Sequence, residues 1–267
     1  MSAGLTLQML RRDVSNLSLL RRRGFDGHIV SMHQSGTHWL KYLLAMVICR
    51  GFDVPEPEHI GDNSVVGHPR SIPEHAGPII VHSHSIPSPL VHATPFRQMI
   101  SYPRYVVLVR DIRSALVSHY EKWKSRYGVS FSEYLRGDVA GRRFDKDIWW
   151  DIRFINAWSG VMGRLPDVTL LVHYETLKRE TETGLQRICE FFPLPADSEI
   201  IKEAIAASSK ERMSAKESPG EELPVVRAAT SHPFEVYSLD DQRFLTEVLN
   251  EHLRDPLGYD YADWSRS

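Results

Sequence analysis

Apolar residues fall along this chain in two rhythms, short continuous runs bounded by turn formers and longer stretches in which they recur every three or four positions. The first run, His28 to Met32, predicts a strand, and Ser35-Gly36-Thr37 predicts a turn after it. Trp39, Leu40, Leu43, Leu44, Val47 and Ile48 then recur at helical spacing. Pro78 to His82, Arg104 to Val109 and Val168 to His173 predict three further strands. The third of these four strands is continuously apolar, as a strand covered on both faces should be. Helices are predicted around Ala115, Leu116, Tyr120 and Trp123, and over Phe131 to Leu135, Ile148 to Met162, Thr183 to Phe192 and Leu239 to Leu253, with a short one over Thr94 to Ile100. Residues 51–77 read as a long Pro- and Gly-rich loop, and Ser208 to Ser238 as a flap without periodicity.

Strands alternating with helices imply βαβ units, hence an α/β fold with a parallel β-sheet flanked by α-helices in three layers. Ligands of such sheets bind outside the carboxyl ends of the strands. Those ends carry His33-Gln34, His82-Ser83-His84, Arg110 and His173-Tyr174-Glu175, so polar chemistry collects where a crevice is expected. In an extended segment His82 and His84 would point to the same side. The Trp149, Trp150 and Trp158 indoles read as core rather than as a binding platform.

Composition narrows the class. A chain of 267 residues with 42% hydrophobic content suffices for a single α/β domain, with residues 1–25 as an N-terminal arm. Its formal charge of −2 gives no general attraction to nucleic acid, so any anion site must be a local basic cluster. Cys49 and Cys189 sit in apolar helical patterns and read as buried thiols, for which a reducing, cytoplasmic location is the default. The longest apolar run, Leu43 to Cys49, is too short to span a membrane. Leu10, Val14, Leu17 and Leu20 share a helical face ringed by arginines, which suits an arm packed on the domain or one touching anionic lipid.

The turn after the first strand leads into a helix N-terminus, where converging backbone N–H groups and the helix dipole favour an anion. It holds one glycine and no Lys-Ser/Thr pair, so it is not a Walker loop. The absence of Mg-ligand motifs also argues against a nucleotide-dependent kinase.

Five stretches taken in order, SMHQSGTHWLKYLL, VHSHSIP, YVVLVRDIRSALVSHY, LLVHYETLK and VVRAATSHPFEVYS, resemble the cytosolic-type sulfotransferase family, which uses 3′-phosphoadenosine 5′-phosphosulfate (PAPS). The resemblance covers roughly residues 28–240 and implies that family's P-loop-like fold, with PAPS as donor and no metal. It implies that Ser35, Gly36, Thr37 and His38 form the 5′-phosphosulfate loop and that Trp39 stacks on adenine. Arg110, Ser118 and Arg227 match the residues that hold the 3′-phosphate, Tyr174 matches a tyrosine near the adenosine, and Ser208 a hydroxyl at the adenine edge. His84 matches the catalytic histidine of K-T-H-x-x-P, a neutral imidazole suited to taking a proton from an acceptor hydroxyl. The acceptor would be a small molecule or a carbohydrate.

Departures from the family pattern fall in the same motifs. The loop lysine is Gln34, a change that by analogy with a lost oxyanion donor would cost roughly 3 kcal/mol of transition-state stabilisation. His33, His38 and His82 are nearby candidates for a compensating cation, and His82 itself replaces the lysine of K-T-H. Ala228, Ala229 and His232 replace residues of the C-terminal motif, and Lys210 stands where the family often has an aromatic ring. A protein that binds the donor and transfers little or nothing is therefore the alternative reading. A metal site at His33, His38, His82 and His84 is the weaker one, because no ligand pair has helical i, i+4 spacing.

Overall fold

The computed structural model describes residues 24–87, 102–217 and 233–265. Five strands, β1 (Gly27–Ser31), β2 (Val66–Gly67), β3 (Ile80–Ser83), β4 (Arg104–Val109) and β5 (Thr169–His173), form one sheet in the order β2-β3-β1-β4-β5. Every pairing is parallel, with Ile29 opposite His82 on one side and Val106 on the other. The predicted strands thus lie within two residues of the observed ones. The short β2 went unpredicted because two residues, Val66 and Gly67, carry no periodicity.

Alternation along the strands sorts the core into two layers. Ile29, Val106, Leu108, Leu170 and Val172 pack against α1 (Thr37–Phe52), α6 (Thr181–Phe191) and α7 (Ser198–Ala207). Val30, Tyr105, Val107 and Val109 pack on the other face against α2 (Ile112–Tyr127), α3 (Phe131–Arg136), α4 (Ile148–Arg164) and α9 (Leu239–His252). The sheet is therefore sandwiched between helical layers, as the α/β reading predicted. Two short helices, α5 (Tyr174–Arg179) and α8 (Lys210–Ala215), complete the cavity wall.

Three expectations change. The region 208–238, read as a flap, is helical at Lys210–Ala215 and again, as a 3₁₀ turn, at Pro233–Val236. Ser209 caps the first of these by accepting a hydrogen bond from the Arg212 amide, and Met213 anchors it in the core. Helix α7 was unpredicted, although Ile201 and Ala204 bury one side of it. His82 and His84 do not share a side: β3 ends at Ser83, so strand alternation no longer governs His84. The N-terminal basic segment and the predicted helix over Thr94 to Ile100 lie outside the described residues.

Both cysteines are buried free thiols, as their sequence context predicts. Among the described residues no helix is long and apolar enough to cross a membrane. Arg113, in the first turn of α2, is buried and pairs with Asp111 at 2.7 Å. It also donates to the carbonyls of Asp260 and Asp263 and lies 4.4 Å from the Phe234 ring centroid and 5.2 Å from that of Trp264. The chain beyond α9 is thereby clamped against α2.

Candidate active site

A cavity of about 690 Å³ opens at the carboxyl end of the sheet, where the loops leaving β1, β3, β4 and β5 meet. The β1–α1 loop forms its floor. Ser35 donates to the Met32 carbonyl at 2.6 Å, and the hydroxyls of Ser31 and Thr37 lie 2.8 Å apart, so all three are committed to shaping the turn. Gly36 caps α1 with φ 81°, in the left-handed region. A Cβ there would sit 2.6 Å from the Tyr174 ring, so glycine is required twice over, for conformation and for space. Gln34 also has positive φ, at 62°, a conformation that costs a non-glycine residue about 1–2 kcal/mol.

That strained glutamine is held from both ends. Arg110 Nη1 donates to the Gln34 carbonyl at 2.7 Å, and Ser118 Oγ donates to its side-chain Oε1 at 3.3 Å. Arg110 also lies 4.9 Å from the Tyr174 ring centroid, and Trp39 meets Tyr174 edge-on at 6.2 Å. Arg110, at the end of β4, and Ser118, two turns into α2, thus converge on the loop. Further along the wall lie Lys178, Lys210, Met213 and Ser208. Ser208 is buried with its hydroxyl unpartnered. Met213 escaped sequence reasoning because it lay in the presumed flap.

At the opposite end His84 presents a defined tautomer. Its Nδ1 lies 2.8 Å from the Ser31 carbonyl, which can only accept, so Nδ1 carries the proton and Nε2 the lone pair. Burial pulls this imidazole down to about 4, with the Ser31 bond opposing and the Lys146 charge adding to the effect. His84 stacks on His33 at 3.8 Å, and Trp150 meets His33 edge-on at 4.7 Å. His33, His119, Lys122, Trp123, Asp145 and Lys146 complete this wall. Trp150 and Trp158 are core residues, as predicted, yet the Trp150 ring also braces the site through His33.

The histidines named as candidate cations are disfavoured as such by burial. Burial holds His33 well below its ordinary value, reinforced by the nearby His84 and Lys146 charges. His38 is lowered to about 4 by burial and then by Lys41, and His82 to about 2 by the same two causes. His82 lies 3.3 Å from Asn63 Oδ1, which also accepts from Lys41 at 2.8 Å, and does not line the cavity. The four rings are therefore neutral near pH 7. Among the described residues no group of acidic, histidine or cysteine side chains has the geometry to hold a metal. Arg227 lies outside the described residues.

Lys146 was not singled out in the sequence, because GRRFDKD has no apolar period to mark a buried side chain. Its side chain is 1% exposed and its ammonium lies 2.9 Å from the carboxylate of Asp151, which is wholly buried. Among the described residues neither group has another side-chain or backbone partner.

The chain matches the sulfotransferase domain family model over residues 26–234. It is similar to sulfotransferase 1C2 of Rattus norvegicus, 23% identical over 233 residues that span 81% of this chain and 75% of the relative. Among solved structures, mouse sulfotransferase SULT7A1 complexed with PAP (adenosine 3′,5′-bisphosphate) aligns with a TM-score of 0.62 at 16% identity, over 91% of this chain and 90% of that one. Retinol dehydratase in complex with androsterone and inactive cofactor PAP aligns with a TM-score of 0.59 at 15% identity, over 94% and 87% respectively. These two likenesses concern the fold.

Proposed function

We propose that this chain, which belongs to the sulfotransferase family, transfers a sulfuryl group from PAPS to the hydroxyl of a small acceptor, with His84 as general base. The observation that carries this reading is the placing of the His84 imidazole, the β1–α1 loop, Arg110 and Ser118 around one cavity. The residues present suit a nucleotide with two phosphate groups. Gly36 lets the Tyr174 ring pack against the loop, the buried Ser208 hydroxyl lacks a partner, and Arg110 offers a planar guanidinium to a phosphate dianion.

The 5′-phosphate would be held by backbone amides of Ser35, Gly36, Thr37 and His38 at the start of α1. Arg110, Ser118 and Arg227 would hold the 3′-phosphate, and Trp39, Tyr174, Ser208 and Met213 the adenosine. Bound PAPS supplies the sulfuryl group and a leaving phosphate oxygen. The acceptor hydroxyl gives its proton to His84 Nε2 as its oxygen bonds to sulfur, and the electron pair of the broken S–O bond stays on that phosphate oxygen. His33 holds the base by stacking, and the Ser31 carbonyl fixes its tautomer. The acceptor wall, with its histidines, Lys122, Asp145 and Lys146, favours a polar, sugar-like or otherwise hydroxylated molecule over a purely apolar one.

Labelled PAPS offered with a panel of sugars, alcohols and phenols tests the reading. Transfer by the wild type should fall about 10²–10⁴-fold in His84→Ala, with PAP affinity held within about threefold. A second reading, donor binding without transfer, draws on Gln34, whose amide is tied to Ser118 and carries no charge. Tight PAP binding with no transfer to any acceptor would favour it, and a preference for ATP over PAP would sink both.

A further inference from the structure

The sulfuryl group is anionic and sits beside an anionic phosphate, so its environment needs positive charge in a cavity that excludes water. Both positions at which the family pattern has lysine hold side chains that are uncharged near pH 7. Gln34 is engaged with Ser118, and His82 is neutral and faces Asn63. Arg110 is occupied on the nucleotide side, between the Gln34 carbonyl and the Tyr174 ring. Lys178 and Lys210 belong to α5 and α8, the elements that border Tyr174 and Ser208. On the His84 side stand Lys122, half-buried with its ammonium 5.5 Å from the Trp123 ring centroid, and Lys146, which is buried.

The local fold places Lys146 with care. It immediately precedes Asp147, whose side chain caps α4 by accepting from the Trp150 amide at 3.0 Å. Tyr134 donates to the Lys146 carbonyl at 3.2 Å, fixing the backbone from α3. Trp150, in the same first turn of α4, contacts His33, which in turn stacks on His84. The charge of Lys146 acts on both imidazoles. A fully buried ion pair is a poor stabiliser compared with apolar side chains of similar volume, so one at a cavity wall calls for a task.

We infer that Lys146 supplies the positive charge on the sulfuryl side of the cavity that Gln34 and His82 do not, with Asp151 as its partner. The inference rests on PAPS-dependent transfer as proposed above. Burial disfavours charge on both members, lifting the Asp151 carboxyl to about 7 and lowering the Lys146 ammonium, and their mutual attraction opposes both shifts. An arriving anion would take over as counter-ion to the ammonium.

The test compares PAP and PAPS binding by calorimetry and measures turnover of labelled PAPS, counting sulfate passed to p-nitrophenol and to water together. Lys146→Met combined with Asp151→Leu removes the pair without stranding one charge. Its PAP affinity should stay within about threefold, its preference for PAPS over PAP should fall about tenfold, and its turnover about a hundredfold. Adding Gln34→Lys to that variant should recover at least about tenfold, by returning a cation to the loop. A folded double variant with unchanged PAPS preference and turnover overturns the inference while leaving the proposed function intact. Should the double variant not fold, Asp151→Asn decides: PAPS preference held or raised supports the role, and a fall overturns it. A wild type that prefers ATP to PAP, or transfers nothing, removes the premise and the inference with it.

Discussion

The two walls of the cavity follow different rules. On the nucleotide wall, Arg110, Ser118, Tyr174, Trp39 and Ser208 are the side chains that the family pattern leads one to expect, and the structure brings them together around a glycine that admits no Cβ. On the His84 wall the lysines of the family pattern are gone, replaced by glutamine at 34 and by histidine at 82, which does not line the cavity, while the buried Lys146 just ahead of α4 does. Phosphate binding depends on several donors whose directions must agree, and replacing one alters the rest. A stabilising charge is less demanding, because Coulomb attraction falls slowly with distance in a dry site and can be exerted from another element. Binding geometry is thus confined to particular positions, whereas charge can migrate through the fold.

Three experiments would break or sharpen this contrast beyond those given above. The largest effect is expected from Arg110→Ala on the nucleotide wall. It removes a charge-assisted donor and releases the Gln34 carbonyl, so PAP affinity should fall about 10–100-fold in a calorimetric titration. An affinity unchanged by that substitution would mean that the two walls do not divide the work in this way. A smaller effect is expected from Gln34→Lys in the otherwise native protein. A lysine there gives up the contact to Ser118 and adds a cation where Lys146 already acts, so turnover should change by less than about tenfold. A rise of a hundredfold would show the His84 wall to be short of charge.

The smallest effect is a displaced pH midpoint. His84 is a base with a lowered folded value, so its acceptor form persists down to about pH 4. The acid limb of kcat/KM should fall near 4 rather than near the ordinary histidine value of about 6.5. The sign for stability is opposite in sense to that of a salt-bridged histidine. The unfolded chain binds more protons between about 6.5 and 4, so stability is complete above that window and declines as pH falls through it. His38 and His82, lowered by the same burial, add to the decline. Chemical denaturation at pH 7.5 and pH 5 should show the loss, and equal stability at the two values would contradict neutral buried rings.

Much of this arrangement was legible in the residues. Strands Arg104–Val109 and Thr169–His173 announced themselves because buried parallel strands are short apolar runs, and their carboxyl ends located the cavity. Arg110, Ser118, Tyr174 and Ser208 could be named because the family resemblance marks them, and the structure lines one cavity with all four. The His84 wall was not legible in full, since Lys146 lies far in sequence from every loop it serves, within a stretch that has no apolar period. Histidine charge was misjudged for a related reason: the sequence contains the rings of His33 and His38, but only packing determines how far they are removed from water. Helix α8 was missed because its capping serine and single core methionine are too sparse to mark a period.

The clamp on Arg113 has a consequence for the order in which the protein can be completed during synthesis. Helix α2 carries Ser118, yet the guanidinium in its first turn gains its carbonyl partners from residues 147 and 150 positions downstream. Chains grow from the N-terminus, so the nucleotide wall leaves the ribosome well before the segment that closes over Arg113. Until Asp260 and Asp263 emerge, a nascent chain can hold that cation only against Asp111 and, once made, the Phe234 ring, with the cover of Tyr261 and Trp264 still to come. Helix α2, with Ser118 on it, is therefore made in the first half of synthesis and secured only at its end.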